Sequence, residues 1–220
     1  MTTIPGELFL LLTDEAGRQR STTYRRQALI AGALSELVLR ERIALTPGRG
    51  PRVEVQDPAP TGVPELDHVL AGLEDRRRPR AVNLLRESGL DVTRIVGDAF
   101  VAAGEVERVK GWFTTSWPAV PSRGDGGPRT EETLRARLAQ VLQGHQRASL
   151  QDAVVLEILL ALRNAHRILR AESGGLSHRA MERRVRELGV DVPAARALRD
   201  MITAMNVALS TSTSGMMAQS

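Results

Sequence analysis

The sequence predicts a mainly α, single-domain helical bundle around a central hydrophobic helix, with an appended aromatic β-hairpin. Three observations carry this. Most long segments place apolar residues at i, i+3 and i+4 spacing, strand-like alternation is confined to short stretches, and both tryptophans fall within one such stretch, residues 106–117. At 220 residues, with 42% hydrophobic and 25% charged residues, the chain suits one domain with a substantial core.

The elements follow in order. The apolar run at 8–12 is too short for a signal peptide or a membrane span, and residues 1–6 read as an N-terminal extension. A first helix is expected from Tyr24 to about Arg40, apolar nearly all round in its first half and therefore buried. Residues 52–55 read as a short extended stretch after a turn at 47–50. Residues 57–62 contain Pro58 and Pro60 and cannot be helical, because proline lacks a donor and restricts the residue before it. The next helix starts near Pro64, with Leu66, Val69, Leu70 and Leu73 on one face.

A basic connector at 76–80 leads to helices over 81–87 and 91–103, the second closed by Gly104. The hairpin over 106–117 turns near Lys110 and Gly111, and a loop spans 121–129. Thr130 reads as the cap of a helix with Glu131 and Glu132 against its dipole and a buried stripe of Leu134, Leu138, Val141 and Leu142. Ser149 and Asp152 make a capping-box start for the most hydrophobic helix, 153–170, expected at the centre of the fold. Helices over 177–188 and 193–209 complete the domain, and 210–220 read as a disordered tail.

Composition narrows the chemistry. Without cysteine there is no disulfide, thiolate metal site or cysteine nucleophile. Lys110 is the one lysine, and its setting fits neither a phosphate loop nor a kinase clamp. Much of the basic character is therefore arginine standing in for lysine, which a genomic coding bias also produces. His68, His145, His166 and His178 lie in no metal-ligand spacing, and no G-x-S-x-G elbow is present. Carboxylates mostly pair with arginines at helical spacing, as Glu36 with Arg40 and Glu182 with Arg186. No catalytic residue, metal or cofactor is expected, and residence in the cytoplasm or peripherally on its membrane face is.

Two segments remain as binding candidates. Arg18, Arg20, Tyr24, Arg25 and Arg26 flank a helix start, where hydroxyls, backbone amides and guanidinium groups favour a phosphate. Four basic residues against an anionic leaflet supply up to ~4 kcal/mol. The alternative is a solvated, charged helix start. The hairpin concentrates Trp112, Phe113 and Trp117 in an aromatic-poor chain, so it either packs on the helices or associates with a second copy; association is the expectation.

A resemblance then covers most of the chain. Residues 10–18 (Leu10-Leu11-Leu12-Thr13-Asp14-Glu15-Ala16-Gly17-Arg18), 31–43 (from Ala31-Gly32-Ala33-Leu34 to Arg40-Glu41-Arg42-Ile43) and 59–67 (Ala59-Pro60-Thr61-Gly62-Val63-Pro64-Glu65-Leu66-Asp67) resemble successive signatures of the Golgi phosphoprotein 3 family. Residues 100–106 and 184–188 resemble its later segments, and the chain looks like a prokaryotic relative. The resemblance implies one domain over 7–209, a hairpin that supports self-association, and a peripheral membrane adaptor that binds phosphatidylinositol 4-phosphate. It aligns Ser21, Ile30, Leu90 and Thr93 with the family's headgroup tryptophan and arginines, and none matches; Tyr24, Arg25, Arg26 and Arg94 stand nearby as substitutes. The expected function is therefore anionic-lipid or phosphoinositide binding by a homo-oligomer with protein clients, nucleic acid being an unlikely partner. The alternative is a soluble homo-oligomeric scaffold without lipid specificity.

Overall fold

A helix forms where the sequence sets apart an extension. Ile4–Leu11 is α1, and every one of its residues is buried. A helix apolar on all sides shows no 3.6-residue period, which is why the pattern hides it. The Thr3 hydroxyl caps it by accepting from the Gly6 amide, and Pro5 fits its first turn. The computed structural model describes residues 2–20, 24–46, 50–74, 76–111, 115–120, 129–188 and 202–203. The expected helix over 193–209, apart from 202–203, and the tail over 210–220 lie outside them, as do Trp112 and Phe113.

Arg25–Leu39 forms α2 and runs against α1, close enough that a Cβ at Gly32 would stand 2.8 Å from Leu8 Cδ1. β1, Ile43–Leu45, is a strand the sequence does not announce; it pairs antiparallel with β2, Val53–Val55, in the register Ile43↔Val55. Arg42 bonds Asp57 and the carbonyls of Ala59 and Pro60, and Thr61 donates through amide and hydroxyl to Asp67, each at 2.6 Å. These bonds fix the non-helical 57–62 segment against α3, Pro64–Glu74.

Ala81–Leu84 is α4, a single 3-10 turn covers Ser88–Leu90, and α5 is Thr93–Ala102, after which Gly104 takes a φ of 74°. β3, Val109–Lys110, pairs antiparallel with β4, Thr115–Ser116, in the register Lys110↔Thr115. α6, Thr130–Gln143, has Arg129 as its cap and Thr130 as its first residue, one position earlier than the sequence suggests. α7, Leu150–Ala161, opens on the Ser149–Asp152 capping box. The long helix expected over 153–170 is broken at Arg163, whose φ of 56° is left-handed, and α8 is only Ala165–Ile168. α9, His178–Glu187, is capped by Ser177.

The protein is thus mainly α-helical, and its buried apolar residues form one core shared by α1, α2, α3, α5, α6, α7 and α9. α7 contributes Val155, Leu156, Ile158 and Leu159, but α1 and α2 are as central as it is. One polar network crosses this core. Arg137 donates to Glu7 Oε1 at 2.7 Å and to Asp152 Oδ1 at 2.8 Å, while Gln151 donates to Glu7 Oε1 at 2.6 Å. Burial pushes the Glu7 pKa up, and the bonds from Arg137 and Gln151 only partly counter it. Among the described residues no helix is long and apolar enough to cross a membrane.

Candidate functional site

The segment between α1 and α2 folds back on itself. The Arg20 amide donates to Leu12 O at 2.8 Å, the Asp14 amide to Arg18 O at 2.8 Å, and the Arg18 amide to Asp14 Oδ1 at 2.7 Å. At its tip Gly17 has a φ of 74° and accepts from the Trp117 amide at 3.0 Å. A Cβ there would lie 2.1 Å from Pro118 N and 2.2 Å from Trp117 C, so only glycine permits the approach. The loop is thereby locked to the outgoing strand of the hairpin.

Trp117 is the point where these pieces meet. Its side chain is 4% exposed, packs edge-on against Phe9 at 5.5 Å, and lies so close to α5 that a Cβ on Gly97 would be 2.4 Å from its Nε1. This corrects the expectation that Trp117 belongs to an association surface: it follows β4, where the chain turns inward to join α1, α2 and α5, and it is core. Its Nε1 has no hydrogen-bond partner.

Arg25, in the first turn of α2, is also buried, at 8% exposure. Its guanidinium carbon sits 5.5 Å from the Phe9 ring centre and 5.3 Å from that of Trp117, and NH1 donates to Thr13 Oγ1 at 3.3 Å. Burial lowers its pKa, an effect the nearby Asp91 charge opposes. An arginine remains cationic throughout. The exposure implied by a headgroup ligand is thus absent for Arg25, because Phe9, Thr13 and Trp117 surround a side chain that the sequence alone places at a solvated helix start.

The other candidates lie outward. Arg18 has a side chain 75% exposed and pairs with Asp14 at 3.5 Å. Arg20, Tyr24 and Arg26 are half-buried, with Tyr24 packed on the core as the residue preceding α2. Arg94 is exposed on the first turn of α5. α2 packs on α5, and Asp91, two residues before α5, is near enough to act on the Arg25 charge, so Arg25 and the start of α5 share one corner of the protein; Arg94 lies on that first turn. Phe9, Thr13, Gly17 and Asp91 shape this corner and were not singled out by the sequence. Thr13 and Gly17 alone among them fall within the 10–18 stretch that carries the resemblance. Among the described residues, no group of three or more His, Asp or Glu is placed to hold a metal ion.

A family model described as Golgi phosphoprotein 3 (GPP34) matches residues 4–205, a span that includes α1 and the whole corner. The chain belongs to the Golgi phosphoprotein 3 family. No curated protein matches it. Of the positions that the resemblance aligns with the headgroup ligands of the Golgi phosphoprotein 3 family, Ile30 and Leu90 are buried apolar residues and Thr93 is the first residue of α5. Ser21 lies outside the described residues. Ile30 and Leu90 pack rather than bind.

Proposed function

We propose that this member of the Golgi phosphoprotein 3 family is a non-catalytic peripheral membrane adaptor that contacts anionic lipid headgroups through Arg20, Arg26 and Arg94, with Arg18 at the edge. The observation that carries the reading is the buried Arg25. It holds the start of α2 against the hairpin base, with Arg20 and Arg26 near it in sequence and Arg94 on the first turn of α5, a helix that packs on α2. With aliphatic residues at Ile30 and Leu90, the expected preference is for negative charge rather than for one phosphoinositide.

Co-sedimentation with vesicles tests this. Recovery should rise when phosphatidylserine is added to phosphatidylcholine, and phosphatidylinositol 4-phosphate should add no more than its charge. Equal recovery on neutral and anionic vesicles overturns the reading. The homo-oligomeric scaffold is the second reading; it keeps some support from Val109, an exposed apolar residue on β3, while Trp117 no longer supports it.

A further inference from the structure

α9 is divided between two faces. It buries Met181 and Val185 against α6 and α7, and exposes Arg179, Arg183 and Arg186. At about 100° per residue the three arginines share an arc of roughly 60° pointing away from the buried pair, and they extend over roughly 10 Å of helix. Arg186 pairs with Glu182, whereas Arg179 and Arg183 have no ion-pair or hydrogen-bond partner among the described residues. That differs from Arg40, Arg129 and Arg135, each tied to a glutamate on its own helix or at its start.

α8 adds charge to the same region. His166 Nε2 donates to Leu176 O at 3.0 Å and its ring lies 6.0 Å from that of His178, which joins α8 to the start of α9. Arg167 and Arg170 are exposed beside this junction. The acid between the two helices, Glu172, is turned inward onto Arg135 at 2.8 Å, so on α9 the arginines are offset by Glu182, already paired with Arg186, and by the exposed Glu187.

This face is separate from the corner around Arg25. α6 begins at Thr130, bonded to Glu105, whose carbonyl accepts from Val120 beside the 13–19 loop; it ends beneath Arg184, which reaches Val141 O. Its 14 residues span about 21 Å.

We propose that the α9 stripe, with Arg167 and Arg170, is a second contact for an anionic bilayer. The proposal rests on the lipid-binding reading and deepens it: two charged contacts set apart along α6 fix how the protein lies on the membrane, where one would leave it free to turn. A bilayer is the partner the surface fits. The stripe is convex, because the apolar side of α9 is already used inside the protein, so there is no groove for a peptide. Its outward residues include no tryptophan, tyrosine, asparagine or glutamine to stack on or read bases. A broad field of phosphates needs only charge.

The test uses the full chain on phosphatidylcholine vesicles with and without phosphatidylserine, at low and high salt. Arg179→Gln with Arg183→Gln should lower partitioning onto anionic vesicles roughly ten- to thirty-fold at low salt, leave circular dichroism unchanged, and be rescued by lysine at both positions. If wild type prefers anionic vesicles and the double glutamine variant partitions equally well, the second contact is wrong and the corner stands. If wild type shows no preference, both readings fall. Failure of the lysine rescue, or tighter binding to duplex DNA that the same pair abolishes, also overturns the bilayer assignment.

Discussion

The guanidinium of Arg25 stands 5.3 Å from the centre of the Trp117 ring, and both residues are buried. The pairing joins the first turn of α2 to the base of the hairpin, and the Phe9 ring of α1, edge-on to Trp117, shares the same cation at 5.5 Å. No carboxylate lies within ion-pair distance of Arg25 among the described residues. The aromatic faces and the Thr13 hydroxyl therefore do what a salt bridge does elsewhere.

Replacing this arginine separates stem from charge. Arg25→Met keeps an unbranched stem against the two rings and removes a desolvated cation, so stability should stay within about 1 kcal/mol of wild type. Arg25→Ala opens a gap beside two aromatic rings and should cost about 2–3 kcal/mol. Thermal unfolding of both variants distinguishes the contributions; equal losses would show that the charge, not the stem, holds the corner.

Gly17 and Gly104 share the same φ of 74° but differ in surroundings. A Cβ at Gly104 meets nothing within 4 Å, whereas one at Gly17 runs into the backbone of Trp117 and Pro118. Gly104→Ala should cost about 1 kcal/mol, the left-handed strain alone. Gly17→Ala should cost roughly 3 kcal/mol or more because the hairpin base must move. Denaturant midpoints compared between the two variants read out the difference.

The network at Glu7 makes a pH prediction. Its folded-state pKa lies above the ordinary carboxylate value, so the folded protein holds a proton more tightly than the unfolded chain. Stability relative to Glu7→Gln should accordingly fall as pH rises from the usual glutamate range through the raised value, and the two proteins should converge in acid. Arg137→Met leaves Glu7 and Asp152 without their shared cation and should cost about 3 kcal/mol at neutral pH, and less where Glu7 is protonated. Melting temperatures followed from the ordinary glutamate range upward in pH test both statements.

The corner should respond to charge and salt. Neutralising Arg20, Arg26 and Arg94 to glutamine should weaken association with phosphatidylserine vesicles by roughly fivefold per residue at low ionic strength. Raising salt should shrink the difference, since exposed charges are screened over about 8–10 Å. A loss that persists unchanged at high salt would indicate a folding defect instead of lost attraction.

Local chemistry was the readable part of this protein. The Ser149–Asp152 box, the Gly104 stop and the buried face of α3 each depend on a few neighbouring residues, and each appears where the sequence puts it. What escaped depends on distant partners or on uniform burial. α1 is apolar on every side and shows no period. β1 is three residues long and exists only through pairing with Val53–Val55. The break at Arg163 sits inside an apolar run that reads as continuous. Arg25 looks like a solvent-facing cation until Trp117, far along the chain, folds over it. The arginines of the corner were legible as a group, but which of them face outward was not.

The bonds that hold α1 also set a schedule for synthesis. Glu7 receives its partners from Arg137 and Gln151, so the most buried helix of the protein leaves the ribosome long before the residues that satisfy it exist. At translation speeds of about 5–20 residues per second the wait is roughly 7–30 s. Throughout that interval the nascent chain has α2 against Ile4 and Leu8 but lacks the cover that α6 and α7 add to α1. The molecule is therefore most exposed to aggregation and chaperone capture at its N-terminus, and a ribosome stalled before residue 137 would display a segment that the finished protein never shows.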